Sequence, residues 1–112
     1  MSKTLNFNKI TKKYFTVTLP DEKSTTIFVA MPTKALLREL TGLKFDSNIV
    51  DDTDNFGALD EIYHVCAVVM SRNKAGVNIS KEYLEEIFDF EDILIFLKEY
   101  MSFISEAISV KN

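Results

Sequence analysis

The sequence contains one cysteine, Cys66, and one histidine, His64. A single thiol excludes an internal disulfide, and one thiol with one imidazole is too few for a Cys-based zinc site. A reducing compartment is the expected setting. Three glycines, two prolines and no tryptophan exclude a collagen-like or low-complexity chain. Long apolar runs are missing as well. The longest, Val65 to Met70 and Ile93 to Leu97, fall far short of the roughly 20 residues of a membrane-spanning helix. The first residues, MSKTLNFNKITKKY, carry lysines but no apolar stretch of the signal-peptide kind, so a cytoplasmic protein is expected. The sequon Asn78-Ile79-Ser80 then has no bearing on glycosylation.

What is present is apolar and unevenly charged. The chain has 112 residues, 46% of them hydrophobic, with nine Phe and four Tyr, enough for one core and one domain spanning 1–112. Residues 1–44 hold eight Lys or Arg against three acids, and residues 45–112 hold five against fourteen, so the halves stand at +5 and −9. A nucleic-acid binder gathers basic groups on one face beside aromatics or a groove-sized helix. Here the early lysines fall in a strand region, so no nucleic acid is expected as a partner. Salt-dependent binding through Lys3, Lys9, Lys12 and Lys13 is the observation that would reverse this.

Alternation organises the first third of the chain. Phe15, Val17 and Leu19 share one face and Tyr14, Thr16 and Thr18 the other; after the turn at Pro20 to Ser24 the pattern resumes with Ile27, Val29 and Met31. The two segments predict an antiparallel hairpin over about 14–31. Leu5-Asn6-Phe7 offers a short third strand. Pro32 ends the alternation, and Leu36, Leu37, Leu40 and Leu43 recur at helical spacing over about 33–41, with Gly42 as an end signal. Residues 45–55 are acidic and read as a solvated loop. Asp52-x-Asp54 begins like a calcium loop, but Phe56 and Tyr63 occupy positions where that loop needs oxygen ligands. No metal and no cofactor are expected.

Residues 57–72 form an amphipathic helix, with Val65, Ala58, Val69, Ile62, Cys66, Leu59, Met70 and Tyr63 filling an arc of roughly 160° and His64 among the solvated groups. Between this helix and the next, RNKAGVNISKEYLEE, residues 72–86, has the look of a phosphate loop. A phosphate loop needs a preceding strand, several glycines and a Lys directly before Ser or Thr. Gly76 stands alone after a helix, so the segment reads as a connector: Asn73 to Gly76 end one helix, and Ser80 caps the next over 81–88, with Ile79 and Leu84 as a hydrophobic staple. Asp89 repeats the device before a long helix at 90–109, with Phe88 and Ile93 as its staple.

That last helix has an apolar arc covering about half its circumference, wider than the roughly 100° stripe of an ordinary surface helix. Ile95 falls inside the opposite, polar arc, and Phe96 and Phe103 stand one helical repeat apart on the stripe's edge. Two readings remain open: a central helix covered by the hairpin and its neighbours, or a face completed by another molecule. On the second, Ile95, Phe96, Tyr100 and Phe103 are the candidate partner-binding residues. No carboxylate pair, Ser-His-Asp or Cys-His set, or nucleotide fingerprint can be assembled, so no catalytic residue is assigned and a non-enzyme is expected. The fold class is α+β, an N-terminal hairpin on a bundle of about four helices.

A family resemblance is carried by FTVTLPD at 15–21, PTKALLREL at 32–40, LDEIY at 59–63, SRNKAGVNISKEYLEE at 71–86 and DILIFLKEYMSFI at 92–104. In this order they resemble the tail assembly chaperones of long-tailed phages and prophages of Gram-positive bacteria, over about residues 14–104. The hairpin turn, Asp-Glu-Lys-Ser without glycine, and the acidic stretch at 46–54 depart from that family. The resemblance implies a non-enzymatic protein of the host bacterial cytoplasm that binds the tape-measure protein, helps the tail-tube protein assemble around it, self-associates, and is absent from the mature virion. The alternative is a phage structural part, a tail-completion or head–tail connector protein.

Overall fold

The structure, a computed structural model, describes residues 5–6, 12–43 and 56–109. Its elements are β1 (Phe15–Thr18), β2 (Thr26–Val29), α1 (Lys34–Thr41), α2 (Phe56–Ser71), α3 (Lys81–Ile87) and α4 (Phe90–Ser109). The architecture is α+β, an N-terminal antiparallel hairpin packed on four helices. Each helix expected from periodicity is found, its ends displaced by at most one residue. Leu5 and Asn6 belong to neither strand, and Phe7 lies outside the described residues, as does the acidic stretch at 45–55 with the start of the calcium-like pattern.

The hairpin follows from its alternation. Phe15 pairs with Val29, Thr16 with Phe28, Val17 with Ile27 and Thr18 with Thr26. Leu19, Ile27 and Val29 turn inward and are buried, with Phe15 and Val17 packed against the core. Thr16, Thr18 and Phe28 face out. The missing turn glycine is replaced by side-chain chemistry. The Asp21 carboxylate accepts the Thr25 N–H at 2.9 Å and the Thr25 hydroxyl at 2.8 Å, and Ser24 adopts a left-handed φ of 49°. An L-residue in that region carries roughly 1–2 kcal/mol of strain, offset here by the bonds around it.

Caps hold the helices where the sequence places them. Thr33 Oγ1 accepts the Leu36 N–H at 3.2 Å, Ser80 Oγ the Tyr83 N–H at 3.1 Å, and Asp89 Oδ1 the Asp92 N–H at 2.8 Å. Each satisfies one of the N–H groups that a helix start leaves without a partner. The staple residues Ile79, Leu84, Phe88 and Ile93 are all buried. Gly42 does close α1, but with a right-handed φ of −85°, so its freedom to go left-handed is unused. Gly76 uses that freedom, at φ +74°.

α2 and α4 form the centre. Ile62, Val65, Cys66, Val69 and Met70 of α2 meet Ile93, Leu97 and Ile104 of α4 in one buried cluster. Ala67, outside the arc drawn from the sequence, is also buried, because it sits at the arc's edge where the connector to α3 returns. Tyrosine hydroxyls tie remote segments together: Tyr63 to the Phe88 carbonyl at 2.9 Å, Tyr100 to the Ala30 carbonyl at 2.7 Å, Tyr83 to Asp21 at 2.6 Å. Among the described residues, no helix is long and apolar enough to cross a membrane.

Candidate functional site

The four residues singled out on α4 separate into two groups. Phe96 is 5% exposed and Tyr100 fully buried, whereas Phe103 is half-buried and Ile95 is 52% exposed. Phe96 and Tyr100, candidates for partner binding on the second of the two readings, are instead covered within the chain itself. Phe15 of β1 reaches across and packs on all three rings, with centroids 6.1 Å from Phe96, 5.8 Å from Tyr100 and 5.4 Å from Phe103. Phe96 and Tyr100 also stack on each other at 5.6 Å. Tilted and offset rings at these separations add roughly 0.5–1.5 kcal/mol per pair to the area they bury. Much of the wide apolar arc of α4 is thus covered from two sides, by α2 and by the hairpin, with Ile108 near its C-terminal end left 70% exposed. Burial pushes the Tyr100 hydroxyl well above the ordinary tyrosine value, so it stays protonated as the donor to Ala30.

Ile95 is left over, and it lies in a groove. The groove has a volume of about 330 Å³; Phe15 to Thr18 and Pro20 form one wall, and Phe88, Asp92, Ile95, Phe96 and Glu99 the other. Its apolar groups come from both walls, while Asp92 and Glu99, one helical repeat apart, place two carboxylates on the α4 side.

One wall of the groove is also a strand edge. The Leu19 N–H donates to Thr25 O at 2.7 Å, which fixes the alternation of an antiparallel pair. Phe15, Val17 and Leu19 direct their backbone groups toward β2, and Thr16 and Thr18 direct theirs away from it. The opposite side of β2 is occupied: Ala30 N–H donates to Arg72 O at 2.7 Å and Lys74 N–H to Phe28 O at 2.9 Å, around a bridge between Val29 and Asn73. The connector at 72–74 acts as a third rung. Among the described residues, nothing pairs in the same way with the outer side of β1.

The other features are structurally engaged. The connector is held by Asn73, 9% exposed, whose Nδ2 donates to Met70 O and Val77 O, both at 2.8 Å, and whose Oδ1 accepts the Val77 N–H at 2.9 Å. A depression of about 650 Å³ beside His64 includes Ser71, Arg72 and Lys81. Ser71 Oγ is bonded to both backbone groups of Ile79, Arg72 donates to Met31 O at 3.0 Å, and Lys81 pairs with Asp60 at 2.6 Å. The Asp60 contact raises the Lys81 pKa. The Tyr83 hydroxyl, followed by the Thr25 N–H, lowers Asp21 from 3.8 to about 2. Cys66 is buried and its thiol is pushed up to about 12 by desolvation, so at neutral pH it packs as a small hydrophobe. Among the described residues there is no cluster of three His, Cys, Asp or Glu side chains fit to hold a metal ion.

Sequence reasoning found Ile95 but not the wall opposite it. The signal in the sequence was an isolated isoleucine in a polar arc; its partners, 75 to 80 residues earlier in the chain, carry no mark of the contact. Compared with known proteins, the chain matches no family model, no curated protein and no solved structure.

Proposed function

We propose that this chain is a binding protein without enzymatic activity, an assembly chaperone that keeps the tape-measure protein of a long-tailed phage soluble and assists the tail-tube protein around it. The observation that carries the reading is the open groove between β1 and α4, where Ile95 is exposed beside Phe15, Val17 and Phe88 and bordered by Asp92 and Glu99. An apolar strip with a charged border is what a client-binding surface requires: it adheres to apolar segments while charge limits indiscriminate association. Self-association and a place in the host bacterial cytoplasm, outside the finished virion, belong to the same proposal.

The test is coexpression with a tape-measure protein, comparing the native chain with Ile95→Glu. The substitution sits at an exposed position and is expected to leave the thermal midpoint nearly unchanged. The native chain is expected to bring the tape-measure protein into the soluble fraction, and Ile95→Glu to lose most of that effect. An insoluble tape-measure protein in both cases would overturn the client assignment. Detection of the chain by mass spectrometry of purified virions would replace the chaperone with a structural tail or connector protein.

A further inference from the structure

The geometry points to a mode of binding: the groove, which no described residue fills, is a position for one more strand beside β1, and its occupant is an extended segment carrying an apolar residue with a basic residue two positions before and two positions after it. The inference deepens the binding-protein reading and rests on that reading, not on the identity of the client.

Three observations converge on it. The sheet grows in the order 72–74, β2, β1, and the next position falls over α4 at Ile95, a large apolar side chain left about half exposed. The backbone groups of Thr16 and Thr18 point toward that position, so an incoming strand meets donors and acceptors already spaced for it. The third observation is charge. Asp92 and Glu99 flank Ile95 on α4, separated by seven residues or about 10.5 Å of helix rise. In a strand, side chains four residues apart lie about 13 Å apart on one face. A Lys-x-apolar-x-Lys segment therefore sets its apolar side chain over Ile95 and its two ammonium groups within reach of the two carboxylates. A docked helix would fill the apolar groove but leave the Thr16 and Thr18 amides without partners.

The probe is the synthetic peptide acetyl-Thr-Lys-Thr-Ile-Thr-Lys-Thr-amide, titrated into the full chain and followed by NMR and amide hydrogen exchange. Saturable shifts at Thr16, Thr18 and Ile95, with slowed exchange of the Thr16 and Thr18 amides, are expected. Two further peptides, N-methylated at odd or at even positions, should differ: methylation on the side facing β1 removes at least two backbone hydrogen bonds and weakens binding about ten-fold or more, and the other pattern leaves it intact. Asp92→Asn with Glu99→Gln is expected to weaken binding roughly two- to five-fold, as for exposed ion pairs. Thr16→Pro removes one outward N–H without touching the bonds to β2, a place where edge strands accept proline, and should weaken binding about three-fold or more while the fold is retained. If Thr16→Pro unfolds the chain, the N-methylated pair decides.

Shifts at Ile95 without protection of Thr16 and Thr18, or equal binding of both methylated peptides, would overturn strand addition in favour of simple groove docking. No saturable shift at any soluble peptide concentration would overturn the site. Neither result depends on the coexpression outcome, so failure of the binding mode and failure of the client assignment are read separately.

Discussion

The two outer edges of the small sheet are treated in opposite ways. On the β2 side, the connector at 72–74 pairs with the strand, and a buried asparagine locks that connector to the end of α2 and to Val77. On the β1 side, the strand borders an open groove with two carboxylates on its far wall. Exposed edges invite pairing with other chains, and folds commonly close or blunt them. Among the described residues, one edge is closed by a dedicated polar device while the other is lined by Ile95 and Phe15. Under the strand addition proposed above, the acid border would favour basic-flanked strands, because an acidic or unflanked apolar segment gains nothing from Asp92 and Glu99.

The closed edge is the more costly to break. Asn73→Ala removes three hydrogen bonds and leaves the Val77 N–H and two carbonyls without their partner. A loss of about 3 kcal/mol is expected, read as a lower urea midpoint, together with faster exchange of the Ala30 and Lys74 amides on the β2 edge. If the midpoint is unchanged, the connector does not hold that edge.

An intermediate effect is expected where the turn positions β1. Asp21 is depressed to about 2 chiefly by the Tyr83 hydroxyl. A carboxylate with a folded pKa below its ordinary value contributes stability above about pH 3.8 that is lost as the pH falls toward about 2. Tyr83→Phe removes the largest cause, so the Asp21 titration should move back toward 3.8 and the acid-induced loss of stability in that window should flatten. NMR titration of the Asp21 carboxyl checks the first, and thermal midpoints taken between pH 4 and pH 2 the second.

The smallest effect belongs to Ser24. Ser24→Gly relieves left-handed strain at φ 49° but adds backbone freedom to the unfolded chain, for a net gain of at most about 1 kcal/mol. The thermal midpoint should rise by a few degrees at most, with the β1 edge amides exchanging as before. A drop in midpoint would mean that the serine side chain stabilises the turn more than its conformation strains it.

Much of the fold was legible because its determinants are local. The two-residue alternation at 15–19 and 25–31, the apolar spacing of 57–72 and 90–109, and Ser80 and Asp89 each followed by a staple pair all report the backbone state of their own neighbourhoods. The candidate site was legible at one residue. Ile95 stood out, but whether Phe96 and Tyr100 were covered or open stayed undecided, because a helical wheel records which residues share a side and not what covers it. Asn73 looked like an ordinary helix-end residue, although its three hydrogen bonds govern the shape of the connector.

By itself, then, the sequence determined the elements, their ends and the class of the fold, since torsional preference, capping and side-chain period act over a few residues. Only the tertiary structure decided that Phe15 would cover the aromatic edge of α4, that 72–74 would close one side of the sheet, and that Ile95 would sit beneath the open side. Those outcomes depend on which surfaces meet across 42 to 88 residues of chain, where burial is shared between faces that no local pattern pairs.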